Sequence, residues 1–61
     1  MALNRYLRIR DVVHQTGLSR SVVYHLVKRG EFPAQKRLSP GAVGWLDSEV
    51  QEWITSRQVI Q

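Results

Sequence analysis

Apolar positions in the middle of the chain recur with the period of a helix. Residues 19–30 read "SRSVVYHLVKRG", and a rotation of ~100° per residue sets Val23 at the centre of one face, with Leu26, Val27 and Gly30 within about 60° of it. Ser21, His25 and Lys28 fall on the opposite side, and Val22 and Tyr24 lie on the flanks. Ser19 is suited to cap the start, because its hydroxyl can satisfy a free amide of the first turn. Gly30 is suited to cap the end. The pattern predicts a helix over residues 19–29, apolar behind and hydrogen-bonding in front.

Three further pieces surround this one. Residues 9–16, "IRDVVHQT", set Val12 and Val13 to one side of Arg10, Asp11, His14 and Gln15, and Gly17 is placed to stop this short helix in the left-handed conformation. Residues 35–46, "QKRLSPGAVGWL", predict a small hairpin. In its "SPGA" the proline precedes the glycine, which suits the central positions of a type II turn with the glycine at positive φ. Such a turn joins two strands poorly through two residues, so a somewhat longer loop is expected. Gly44 marks a bulge or a close backbone contact. Residues 46–57, "LDSEVQEWITSR", carry Val50, Trp53 and Ile54 at i, i+3, i+4 spacing and predict a packing helix. Asp47 or Ser48 is its expected cap, Ser48 and Gln51 match a capping box, and Glu49 favours the first turn.

Two short helices joined by a tight glycine-containing turn, then a hairpin, define the expected fold class: mainly α with a small β-hairpin, a winged helix-turn-helix. The expected organisation is a single domain over residues 1–61, with the helix-turn-helix at about 9–29, the wing at about 35–46 and the packing helix at about 47–57. No internal repeat, low-complexity tract or linker interrupts it.

Composition narrows the chemistry. The 61 residues include no cysteine, so no disulfide supports a domain small enough to bury only roughly 60% of its unfolded surface. Two histidines separated by ten residues, with no clustered carboxylate, are a poor metal-ligand set, and neither metal nor cofactor is expected. Arg5, Arg8 and Arg10 break up the apolar residues near the amino end, leaving no block long enough for a signal sequence or membrane span. The expectation is a cytosolic protein, nucleoid-associated when bound. The formal charge of +4 is polarised: residues 1–37 hold eight basic and two acidic side chains, residues 38–61 one basic and three acidic. A basic half of this kind favours a polyanion, since neutralising phosphates releases condensed counterions.

The candidate contacts to double-stranded DNA follow from charge, hydrogen bonding and position. Ser19, Arg20 and Ser21 stand at the amino end of the predicted second helix, where free amides and the helix dipole also attract phosphate. The arginine fork also matches guanine O6 and N7. Tyr24, His25 and Lys28 extend the surface along that helix. Lys36 and Arg37 of the wing, with Arg8 or Arg10, are candidate phosphate contacts that set position and affinity more than sequence preference. Each has a plainer reading. Ser19 caps the helix whether or not it touches DNA, and Tyr24 equally covers the edge of the core. Lys28 and Arg29 favour the negative end of their own helix. Trp45 and Trp53 read as core residues before stacking platforms. Ser19, Ser21 and His14 do not form a catalytic set, having no carboxylate or oxyanion donors spaced to support them, so an enzyme is the least favoured class.

The resemblance carried by "TGLSRSVVYHLVKRGEFP" and "KRLSPGAVGWLDSEVQEWI" is to the AlpA family of small prophage-encoded transcriptional regulators. "GLSRS", Tyr24, the G-x-F-P of Gly30 to Pro33, "AVGW" and the EV-x-x-W of Glu49 to Trp53 occur in the family's order and spacing. The likeness covers residues 7–57. Val22 stands where the family often has threonine and His25 where it often has arginine. The resemblance implies a winged helix-turn-helix related to MerR and excisionase DNA-binding domains, and a regulator of integration and excision genes in a prophage or other mobile element. A surface this small supplies few base contacts, so a homodimer or several copies on repeated sites are expected, with Val59 and Ile60 as candidates for self-association. Two alternatives stay open: an excisionase-like factor that bends DNA for recombination, and a protein-interaction module whose basic face meets an acidic partner.

Overall fold

Over residues 5–57, 59 and 60, which the computed structural model describes, short strands and helices follow one another. They are β1 (Tyr6–Leu7), α1 (Ile9–Thr16), α2 (Arg20–Lys28), β2 (Lys36–Ser39), β3 (Ala42–Leu46) and α3 (Asp47–Thr55). Three helices and a small antiparallel sheet make a small winged-helix-like fold, with just under half of the described residues helical.

Local chemistry sets the helix ends. At the start of α1 the Arg8 amide donates to the Asp11 carboxylate at 3.0 Å, and a carboxylate in the first turn also complements the helix dipole. Gly17 ends the helix at φ 76°, in the left-handed region. Thr16 then steadies the turn from both sides: its hydroxyl donates to the Val12 carbonyl at 2.8 Å and accepts from the Leu18 amide at 3.2 Å. Beyond α2, Gly30 takes φ 74°. There the Gly30 amide donates to the Val27 carbonyl and the Glu31 amide to the Leu26 carbonyl, the paired closure of a Schellman motif.

The sheet runs β1-β3-β2, with β3 in the middle. Tyr6 and Leu7 pair with Leu46 and Trp45, so the hairpin expected from the sequence becomes three strands. β1 is too short to show alternation, which is why no pattern announces it. The hairpin also closes more tightly than expected. Ser39 pairs directly with Ala42, leaving only Pro40 and Gly41 in the turn, and Gly41 lies outside the left-handed region a type II turn needs. The register shifts between Arg37 and Ser39, making Leu38 an extra residue on its strand. A bulge of this kind adds local twist, so a two-residue connection is accommodated without a left-handed glycine.

Gly44 is the close contact rather than the bulge. A Cβ there would stand 2.6 Å from the Leu7 carbonyl oxygen and 2.9 Å from Leu38 Cδ1, so β1 can lie against β3 only over a bare backbone. At α3 the expected side-chain caps do not form: Leu46 occupies the cap position, and Asp47 and Ser48 lie inside the first turn. The Asp47 amide donates to the Arg5 carbonyl at 2.8 Å, so backbone entering β1 does the work of a cap. The Asp47 carboxylate also stands 3.9 Å from Arg5 Nε.

The core draws one buried side chain from almost every element. Leu7 of β1, Val12 of α1, Val23 of α2, Phe32 of the following loop, Trp45 of β3 and Val50 of α3 meet there, and Ile9, Leu18, Leu26, Val27, Trp53 and Ile54 pack around them. β2 contributes none, since all four of its residues are exposed. Both indoles hold the same loop: Trp45 Nε1 donates to the Pro33 carbonyl and Trp53 Nε1 to the Glu31 carbonyl, each at 2.8 Å. Val59 and Ile60, the candidates for self-association, lie exposed beyond α3. No helix among the described residues is long and apolar enough to cross a membrane. The space around the two wing glycines predicts contrasting outcomes. In urea denaturation Gly44→Ala should destabilise the fold by ~1–3 kcal/mol through overpacking, whereas Gly41→Ala, whose added carbon meets nothing within 4 Å, should stay within about 0.5 kcal/mol of the parent.

Candidate nucleic-acid interface

The amphipathic division of α2 orients its side chains. Val23 is fully buried and Leu26 and Val27 are half-buried, while Arg20, Ser21, His25 and Lys28 are exposed. None of these four makes a side-chain hydrogen bond or ion pair among the described residues. Their donors are therefore available to an external acceptor. Ser19 is engaged locally, its Oγ accepting a hydrogen bond from the Val22 amide at 3.2 Å. Tyr24 serves the flank, the residue 43% exposed while its ring lies 6.2 Å from the Trp45 ring at a tilt of 48°. Val22 is exposed on the other flank.

α2 packs against α1, and Tyr24 ties it to Trp45 in β3. Because β3 also carries β2, the helix and the wing are fixed to one framework. Lys36 and Arg37 occupy β2, and each is engaged. Lys36 Nζ is 3.1 Å from Glu49 Oε1 in the first turn of α3. Arg37 Nη1 donates to the Pro40 carbonyl at 3.2 Å, which folds the guanidinium along the turn and leaves its charge unopposed. Arg29 pairs with Glu31 at 3.4 Å. Among the described basic residues, Arg8, Arg10, Arg20, Lys28, Arg37 and Arg57 have no side-chain ion pair with a carboxylate. The unneutralised charge thus includes both ends of α2 and the wing.

No reading of the sequence brought Glu49 to Lys36 or the Pro40 carbonyl to Arg37. The first pair is thirteen positions apart and depends on how the wing turns back over α3; the second depends on the tight turn, where a longer loop was expected. A shallow cleft of ≈ 540 Å³ lies elsewhere, walled by Phe32, Pro33, Trp53 and the carboxylates of Glu31, Glu49 and Glu52. None of the eight candidate DNA contacts lines it. Arg57 covers the Trp53 ring at 4.2 Å from its centroid. Among the described residues no group of three or more histidines, aspartates or glutamates is gathered to hold a metal. What the arrangement offers is a helix bearing exposed donors and a basic strand, both fixed to β3.

The sequence model of the family described as prophage CP4-57 regulatory protein (AlpA) matches residues 5–58. The chain belongs to this AlpA family. The match spans every element of the fold, from β1 through α3. One relative, the uncharacterized protein ORF88 of Enterobacteria phage P4, is 49% identical over 53 residues, covering 87% of this chain and 60% of that protein. The chain therefore spans less than two thirds of the length of its phage P4 relative. Another, the DNA-binding transcriptional activator AlpA of Escherichia coli (strain K12), is 30% identical over 59 residues, covering 87% of this chain and 84% of that protein. No solved structure matches the chain. The Ser19 cap predicts that Ser19→Ala lowers stability by ~0.5–2 kcal/mol in thermal unfolding, through loss of a partner for the Val22 amide.

Proposed function

We propose that the chain is a DNA-binding transcriptional regulator of a prophage or related mobile element, which sets α2 in the major groove and the hairpin of β2 and β3 on the phosphate backbone. One observation carries this reading: α2 buries Val23 while Ser21, His25 and Lys28 stand exposed on its other side and Arg20 stands exposed in its first turn, all four unpaired among the described residues. A groove-reading helix needs such a face, because hydrogen-bond donors already satisfied within the protein add nothing to base readout. The relative from Escherichia coli, named as a DNA-binding transcriptional activator, supports the same class.

The residues divide by chemistry. Arg20 can donate two parallel hydrogen bonds to the edge of a guanine, and Ser21, His25 and Lys28 extend the contact along the groove. Tyr24 meets the backbone at the groove's margin. Ser19 turns the helix amino terminus toward phosphate, where its amides and dipole favour an anion. Arg37 and Lys36 meet phosphates beside the groove. A single module of this size buries on the order of 600–1,000 Å², so full affinity calls for a homodimer or several copies on repeated sites.

Titration with double-stranded oligonucleotides, followed by nuclear magnetic resonance, tests the reading directly. Shifts at Arg20, Ser21, His25 and Lys28 are expected, and their absence would reject the proposed face. After selection of a preferred site from random duplexes, Arg20→Ala should weaken binding to it by ~10- to 100-fold while leaving random-sequence binding intact. An equal loss on both would make Arg20 a phosphate contact instead. Joint replacement of Lys36 and Arg37 by alanine should flatten the log–log salt dependence by about 1.8, and an unchanged slope would remove the wing from the interface.

A further inference from the structure

The wing's two cations differ in what they face. Arg37 donates to a neutral carbonyl and keeps its full charge, whereas Lys36 Nζ stands 3.1 Å from a Glu49 carboxylate oxygen. Neither partner needs the other for the fold. β2 is held by its ladder to β3, and Glu49 in the first turn of α3 is already favoured by the helix dipole. The pair is open to water, with side-chain exposures of 43% and 42%, so it is a weak contact that exchanges readily.

We propose that Glu49 competes with DNA phosphate for the Lys36 ammonium, so that the wing carries one standing cation and one that must leave a carboxylate before it meets DNA. The inference rests on the DNA-binding reading above. A lysine ammonium suits such an exchange: it is a compact charge on a flexible stem with three donors and no fixed fork to realign. Leaving the carboxylate costs what the exposed pair was worth, about 1.4- to 5-fold in an equilibrium constant. Phosphate contact is independent of sequence. The cost therefore falls on every duplex alike, and Glu49 sets the overall level of binding without altering the preference among sites.

Glu52 supplies the control. It lies three residues further along α3, is exposed, and has no ion-pair partner among the described residues. Its loss removes the same unit of negative charge without freeing Lys36. Binding of a 20-base-pair random-sequence duplex at low salt, read by fluorescence anisotropy, compares the parent with Glu49→Gln, Glu52→Gln, Lys36→Gln and the Glu49→Gln, Lys36→Gln double variant. Glu49→Gln should raise affinity about 1.4- to 5-fold beyond Glu52→Gln, and that excess should disappear when Lys36 is glutamine. Equal gains from the two glutamates, or an excess that persists without Lys36, would overturn the competition. A loss of affinity in Glu49→Gln would also overturn it, assigning Glu49 to holding Lys36 toward phosphate. If the parent binds no duplex at all, the DNA-binding reading and this inference fall together, whereas duplex binding without the excess removes the inference alone.

Discussion

The arrangement depends on the placement of the Trp45 indole. It is fully buried, it stands on the central strand of the sheet, and its N–H is satisfied by the Pro33 carbonyl at 2.8 Å. A buried indole left without that acceptor would be costly, so the loop after α2 is drawn to it. The same ring meets Phe32 edge-on at 6.4 Å and Tyr24 at 6.2 Å. Phe32 in turn meets Trp53 of α3 at 4.7 Å. One side chain thus links the sheet directly to α2 and its following loop, and through Phe32 to α3. In a chain too short for several layers of core, such multiple use replaces bulk.

That economy explains the exposed surface. With one buried side chain taken from each of β1, α1, α2, β3 and α3, little of any element is hidden. α2 commits Val23 to the core and retains a face for other uses. β2 commits no buried side chain and is held by its ladder to β3. The exposed features on which the proposed DNA contact rests are therefore products of this sparing core as well as of charge. Acidic residues then tune the basic ones: among the described residues ion pairs join Arg5 to Asp47, Arg29 to Glu31 and Lys36 to Glu49, and none involves the exposed cations of α2.

Much of this was legible from local pattern. The periodicity around Val23 sorted α2 into buried and exposed sides, and Ser19, Gly17 and Gly30 marked helix ends, because caps and helical faces are properties of neighbouring residues. Both tryptophans, core residues by their apolar neighbours, serve the core, Trp45 fully buried and Trp53 half-buried beneath Arg57. The failures share a cause. β1 has two residues, too few for a period. The caps assigned to Asp47 and Ser48 gave way to the Arg5 carbonyl, which lies far off in sequence. The "SPGA" turn tightened because a bulge at Leu38 supplied the twist that local turn chemistry could not.

By itself the sequence determined the helices, the position of the wing, the core side of α2 and the polarity of charge, since each arises from interactions a few residues in reach. Tertiary structure alone decided that the hairpin gains a third strand across Gly44, that one indole gathers the elements, and that Glu49 stands against Lys36. Those contacts bridge segments whose separation along the chain carries no local signal. They exist only once burial of the apolar residues has brought the segments together.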